Sequence, residues 1–411
     1  MDRTQFRSPR LTGSPSTTRP SIFLPEARPG IQAIEESLIR VIAQSAVGVE
    51  DVIGLWYGEP DAVTPAFITH AAKVALDRGE TFYTANDGIP PLRAAIAEYQ
   101  TRLGRASVTV DRIVVTSSGT HALNMACLAL LSPGDRVVVP RPCWPNLVGI
   151  PSLSGTQVTG PSLRLVDGLW RLDLQELLAA LTPQTRMVIL NAPGNPTGWM
   201  LSRAEQEVIL AHCRQHGIWI LADDVYDRLV FSGGVAPSFL DLATPQDRVI
   251  AVNSFSKSWA MTGWRLGWLT VPHGLGPVLA SMNEFVMSCA PGFVQEAGIV
   301  ALRDGEPFVQ GIVGHYREAR DYVADRLGAV PGLSVPRAEG GMYAFFRVEG
   351  CRDSLTLARN LVHRAGVGLA PGRAFGREGE GYMRLCFAVG RERLEQACAR
   401  IETYLATHGP N

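Results

Sequence analysis

Five short segments place side chains with chemical potential at the ends of apolar runs. In NSFSKSWAMTGWRLGW, Lys257 follows Ser254 and Ser256, and Arg265 stands eight residues on. A lysine among small residues at a strand end can be buried with a depressed pKa, the condition for Schiff-base chemistry. In DDVYDRL, Asp223 and Asp224 close an apolar run and Tyr226 follows. A carboxylate there is costly unless it is paired. In TSSGTHAL, Ser118, Gly119 and Thr120 offer backbone N–H groups and hydroxyls at the positive end of a helix, which suits a phosphate. Taken alone, that turn reads rather as a capped helix without any ligand, and His121 reads as a helix residue rather than a ligand. NAPGNPTG, with Asn191 and Asn195, is a rigid turn. Trp144 in RPCWP serves either as core or as an aromatic plate.

The elements that carry these segments alternate. Short β-branched runs stand at 112–115, 136–140, 186–190, 218–222, around 247–251 and at 266–270. Helical stretches at 121–131 and 202–217 separate several of them, and the second opens on a capping box of Ser202 and Glu205 and stops at Gly217. Alternation with continuously apolar strands predicts an α/β fold: a mainly parallel sheet covered by helices on both faces. The C-terminal third changes character. Helices over about 276–303, 306–328 and 391–407 mix with short strands near 333–348 and 382–388, a smaller α+β domain. A helix is expected from Gly30 to Ala46, and residues 1–30 read as a flexible arm rich in Ser, Thr, Pro and Arg. Ligands of parallel sheets gather at the C-terminal strand ends, where the five segments lie. A phosphate turn, a plate, an Asn, an Asp–Tyr pair, a lysine and an arginine together match pyridoxal phosphate. That cofactor needs a lysine for its aldehyde, an acid for its ring nitrogen and phosphate anchors.

Composition removes other classes. At 411 residues the chain holds two or three domains by length, and a net charge of -1 argues against a nucleic-acid protein. With 46% apolar residues, disorder is not expected. The seven cysteines form no CxxC pair and do not cluster with the histidines, so neither a disulfide framework nor a metal site is expected. The first twenty residues lack an apolar core like that of a signal peptide, and no uncharged apolar run reaches bilayer length. The expectation is a soluble cytoplasmic protein without internal repeats.

Ten segments between about Gly54 and Gly390 carry a family resemblance: GEPDAVTP, YTANDGIPPLRAAIAEY, SSGTHAL, RPCW, NAPGNPTG, DDVYDRL, SFSKSWAMTGWRLGW, GGMYAFF, PGRAFG and YMRLCFA. The chain resembles the class I/II pyridoxal-phosphate-dependent aminotransferases, the aspartate aminotransferase superfamily of fold type I. The resemblance implies a large cofactor domain over 66–300 and a small domain built from 31–65 and 301–411. It implies that Lys257 carries the cofactor and moves the substrate's proton. Asp223 would face the ring nitrogen, Tyr226 and Asn195 the phenolic oxygen, and Trp144 the ring. Ser118, Gly119, Thr120, Ser254 and Arg265 would form the phosphate cup, joined by Tyr83 of a neighbouring subunit, which makes a homodimer with shared sites. Arg384 would bind the substrate α-carboxylate, with Gly58 and Asn195 beside it. Asp224 stands where many relatives carry Glu. Tyr343 is either a site residue or a strand residue of the small domain.

The implied reaction moves an amino group from an L-amino acid to a 2-oxo acid, by a ping-pong course. A C–S lyase, decarboxylase or cyclase would use the same cofactor residues. A transcriptional regulator would need a winged helix ahead of GEPD, for which the chain leaves no room. Trp56 and Tyr57 flank Gly58, and no second arginine is assignable to a distal carboxylate. The reading therefore tilts towards neutral or aromatic donors, with 2-oxoglutarate or pyruvate as acceptor.

Overall fold

The computed structural model describes residues 27, 29–32, 34–105 and 107–410, so most of the expected N-terminal arm lies outside the described residues. Seven strands form the main sheet: β1 (Ile113–Thr116), β2 (Arg136–Val138), β3 (Gln157–Thr159), β4 (Thr185–Asn191), β5 (Trp219–Asp223), β6 (Val249–Ser254) and β7 (Gly267–Thr270). Their spatial order is β1-β7-β6-β5-β4-β2-β3. The neighbours from β6 through to β3 are parallel, and β7 alone runs against both β6 and β1. Every residue of β1, β6 and β7 is buried, as expected for strands covered on both faces. Gly267 pairs with Ser254 on one side and Thr116 on the other, so the start of β7 lies at the edge where β1 and β6 end.

Helices pack on both faces of this sheet. Gly119–Leu130 leaves β1 directly, with Ser118 as its N-cap. Arg203–His216 follows β4 and has the expected capping box and a left-handed Gly217 at its end. Two sequence expectations need correction. The single helix over 276–303 is two, Leu275–Val286 and Gly292–Asp304, parted by a turn in which Ser288 takes φ 65 and Pro291 restarts the chain. The helix expected from Gly30 to Ala46 is interrupted: Leu38–Ser45 is helical, Pro29–Gln32 forms a separate turn of helix, and residues 34–37 are not helical.

A second, antiparallel sheet orders β8 (Leu333–Ser334), β9 (Tyr343–Val348), β11 (Tyr382–Cys386) and β10 (Ala370–Pro371) as β8-β9-β11-β10. Helices Glu306–Gly328 and Arg391–His408 cover it. Its core takes in Ile42, Ile53 and Leu55, and Ile53–Gly54 pairs in parallel with Val367–Gly368. No described helix is long and apolar enough to cross a membrane.

Candidate active site

The C-terminal ends of β4, β5 and β6 open into a cavity of about 310 Å³. Lys257 enters it from the four-residue turn Phe255–Ser258 that follows β6, and its Nζ donates to the Gly58 carbonyl at 2.5 Å. Asp223, the last residue of β5, is 1% exposed, and its Oδ1 has no hydrogen-bond partner among the described residues. Asn191 ends β4, donates to the Asp223 carbonyl at 2.9 Å and accepts the Asn195 N–H at 2.9 Å, so the NAPGN turn is fastened to β5. The helix Gly119–Leu130 begins at the cavity with Gly119 and Thr120. That close approach requires glycine at 267, where a Cβ would lie 2.8 Å from the Gly119 nitrogen. Arg265, in a left-handed conformation with φ 56, donates to the Thr262 carbonyl at 2.6 Å. Trp144 and Ser254 complete this side of the lining.

Across the cavity stands Arg384, on β11 and 2% exposed. It donates to Asn195 Oδ1 at 2.9 Å and to the Trp56 carbonyl. Its guanidinium lies 4.4 Å from the Tyr343 ring centre and 4.8 Å from that of Phe375. The hydroxyls of Tyr226 and Tyr343 share a hydrogen bond of 2.7 Å.

The charges are held far from their ordinary balance. Burial lowers the Lys257 ammonium to about 8, and Arg384 and Arg265 act the same way against the opposing pull of Cys386 and Glu59. Burial, then the neighbouring Asp224, raises the Asp223 carboxyl to about 7, against the Val225 N–H and Lys257. Asp224 points away, accepting from Ser238 Oγ at 2.7 Å, and burial raises it likewise to about 7 although Arg105 opposes. Neither Arg384 nor Arg265 has a carboxylate partner among the described residues. The cavity thus offers three arginines, Arg40, Arg265 and Arg384, for anions, an acid without an ion-pair partner among the described residues for a basic nitrogen, and a lysine with a lowered pKa. Those residues fit pyridoxal phosphate and the carboxylate of an amino acid.

Of the residues singled out from the sequence, Gly58, Gly119, Thr120, Trp144, Asn195, Asp223, Tyr226, Ser254, Lys257, Arg265 and Arg384 all line this one cavity. Ser118 and Tyr83 do not. The Ser118 hydroxyl is used as a helix cap, accepting the His121 N–H at 3.0 Å, and Tyr83 is 91% exposed on the surface. Trp56 is not in the lining either: its indole packs over Gly54 and Gly368, where a Cβ at Gly368 would come within 1.8 Å of the ring. Sequence reasoning missed Arg40 and Ser37, which reach the cavity from the helix at Leu38–Ser45 and its N-cap. Only the helical period of LIRVIAQS hinted that Arg40 lies opposite the buried Ile42.

The seven-stranded sheet, the antiparallel second sheet and the lysine cavity define a fold-type I pyridoxal-phosphate transferase. Comparison with known proteins agrees. Residues 50–401 match the model of the family "Aminotransferase class I and II". The chain is 36% identical to an aspartate aminotransferase of Pyrococcus horikoshii over 90% of its length and 95% of the relative. It is 35% identical to an arginine–pyruvate transaminase of Pseudomonas aeruginosa over 88% and 92%. The solved Thermus thermophilus aspartate aminotransferase with maleate superposes with a TM-score of 0.85 at 29% identity, over 92% of this chain and all of that one, 100%. The chain belongs to the class I and II aminotransferases, enzymes that transfer amino groups with pyridoxal 5′-phosphate.

Proposed function

We propose that this cavity moves the amino group of an L-amino acid to a 2-oxo acid in two half-reactions at one site, with the residue roles that follow. The observation that carries the reading is the placing of Lys257, held by the Gly58 carbonyl, and of the buried Asp223 carboxyl, whose Oδ1 has no partner among the described residues, in one cavity. Bound there, pyridoxal phosphate supplies an aldehyde carbon and a ring that accepts the electron pair left by the substrate's α-proton. Lys257 would hold that aldehyde and, when free, would be the base placed to take the α-proton. A lysine lowered to about 8 can both accept and return a proton near neutrality. Asp223 holds the ring nitrogen protonated. Tyr226 and Asn195 bind the phenolic oxygen, and Trp144 lies on the ring. Gly119, Thr120, Ser254 and Arg265 hold the phosphate, with the Ser118 turn behind them. Arg384 grips the α-carboxylate as a fork, beside Asn195 and Gly58.

Mixing the holoenzyme with each of the twenty amino acids tests the reading. A donor bleaches the cofactor's visible band and releases its 2-oxo acid, and a 2-oxo acid restores the band. Release of free ammonia together with a thiol or sulfide, or of carbon dioxide, without lasting bleaching of the band would show a lyase or decarboxylase instead.

Two donor classes have support. Tyr57 in the lining favours neutral or aromatic side chains. Arg40, exposed and with no carboxylate partner among the described residues, favours a dicarboxylic donor. Relatives are named for aspartate, for aromatic amino acids and for arginine, and the same screen separates these classes.

The proposal includes a homodimer in which Tyr83 reaches the partner's phosphate. Phe82 (84%), Tyr83 (91%) and Phe285 (90%) stand exposed on segments tied together by Asn86–Glu284 and Asn283–Asn86 hydrogen bonds. Such an apolar surface suits a second copy. A small domain built from 31–65 and 301–411, beside a large domain of 66–300, is supported by the core that Ile42, Ile53 and Leu55 share with the second sheet. A cytoplasmic location is supported by seven unbridged cysteines.

A further inference from the structure

We infer that Tyr343 is a positioning residue of the reaction: its hydroxyl donates to Tyr226 and so fixes Tyr226 as a donor towards the cofactor's phenolic oxygen, while its ring forms the floor on which Arg384 lies. This rests on the role proposed for Tyr226.

The geometry is specific. Tyr343 begins β9 and pairs with Cys386 of β11, two residues from Arg384. It is 1% exposed, Tyr226 is 4% exposed, and both line the cavity. Their hydroxyls are 2.7 Å apart with their rings edge-to-face, and the described residues offer neither hydroxyl another partner. Gly58 is shaped to this tyrosine, since a Cβ there would come within 1.9 Å of the Tyr343 hydroxyl. The segment that holds Lys257 therefore closes directly on Tyr343.

Counting donors settles the order. Each phenol has one proton. With cofactor bound, Tyr226 has two oxygens within its reach, Tyr343 and the phenolic oxygen, whereas Tyr343 has only Tyr226. The arrangement that satisfies all three is Tyr343 donating to Tyr226 and Tyr226 donating onward. A phenol that accepts a hydrogen bond becomes a better donor. The other charged or titratable groups facing the pair are Arg384 and Cys386 from β11, Asp223 from β5, Lys257 beyond β6 and Tyr316 from the helix Glu306–Gly328. Burial holds both phenols protonated, Tyr343 at about 12 and Tyr226 well above its usual value, so neither ionises in the working range. The negative phenolic oxygen favours a proton on the imine nitrogen of the Lys257-bound cofactor. Tyr226 relieves that charge by donating to it. Weakening Tyr226 therefore raises the pH at which the imine loses its proton.

The experiment is a spectrophotometric pH titration of holoenzyme carrying Tyr343→Phe, which removes the hydroxyl but keeps the ring beneath Arg384. The expected result is a midpoint raised by roughly half a unit to one unit, the equivalent of one hydrogen bond, with KM for the amino acid little changed. In a Tyr226→Phe background the same substitution should add no further shift, whereas two independent effects would sum. Tyr343→Ala, which also removes the floor, should raise KM in addition. An unchanged or lowered midpoint in Tyr343→Phe, or full additivity with Tyr226→Phe, overturns the inference. If Tyr343→Phe does not fold, Tyr343→Met must show the raised midpoint. Borohydride labelling of Lys257 in every variant keeps the two claims apart: a missing label in the unsubstituted enzyme defeats the cofactor assignment, and a label without the shift defeats only Tyr343.

Discussion

Asp223→Asn should stabilise the cofactor-free protein and disable the enzyme. Asp223 is fully enclosed, its Oδ1 lacks a partner and its carboxyl is raised to about 7 by burial and by Asp224. The folded pKa lies above the unfolded one. The carboxyl therefore costs the cofactor-free protein nothing below the unfolded pKa, and its stability falls as pH rises from there through about 7. At pH 8 the full cost of a buried ion is present. Asparagine has the same shape without the charge, so at pH 8 it should gain on the order of 2 kcal/mol, the scale of ionising a carboxyl whose folded pKa lies above its unfolded one. For a chain this long, each kcal/mol moves Tm by roughly 1 °C. The gain should shrink as pH falls towards 4. With cofactor the sign reverses, because the amide cannot neutralise a protonated ring nitrogen. Loss of that charge should raise the barrier by roughly 4–8 kcal/mol, three to six orders of magnitude in rate. The assays are thermal melts of cofactor-free protein at pH 8 and pH 5, and single-turnover bleaching of the holoenzyme. A variant that melts lower at pH 8, or that turns over at a near-normal rate, would refute the assigned role.

Arg384→Ala should lower kcat/KM for every donor by about a hundredfold or more, near 3 kcal/mol for a lost charge-assisted fork, with Lys recovering only part because it cannot make two parallel bonds. Gly267→Ala should weaken binding of pyridoxal phosphate, measured by equilibrium dialysis, because its Cβ would push the Gly119 nitrogen from the place where it meets the phosphate. Mixed dimers of Tyr83→Ala and Lys257→Ala should recover activity at one wholly native site, and no recovery despite proven subunit exchange would contradict the shared site. Arg40→Ala should raise KM for a dicarboxylic donor and leave an aromatic donor unaffected; equal effects on both, read from steady-state kinetics, would remove Arg40 from the specificity pocket.

The main sheet was legible because its strands are buried on both faces and so appear as unbroken apolar runs, and because the Ser202–Glu205 box and Gly217 mark a helix in the sequence itself. Direction was not: GWLT is a four-residue run whose antiparallel course is set by its neighbours. The break after Val286 was masked by the apolar residues on either side, although Pro291 marked the restart. Site residues at strand ends could be read from local spacing. Arg40, the indole of Trp56 and the Tyr343–Tyr226 contact could not, because each depends on segments distant in sequence, 117 residues for Tyr226 and Tyr343, meeting through tertiary packing.

The chain contains two lysines, Lys73 and Lys257, and Lys73 is exposed on the helix Ala66–Asp77. Borohydride reduction of the holoenzyme followed by peptide mapping therefore gives a nearly binary answer. One pyridoxyl group per chain is expected, on the peptide containing Lys257, with none in Lys257→Ala. A stoichiometric label on Lys73, or no label on an enzyme that is active with pyridoxal phosphate, would contradict it.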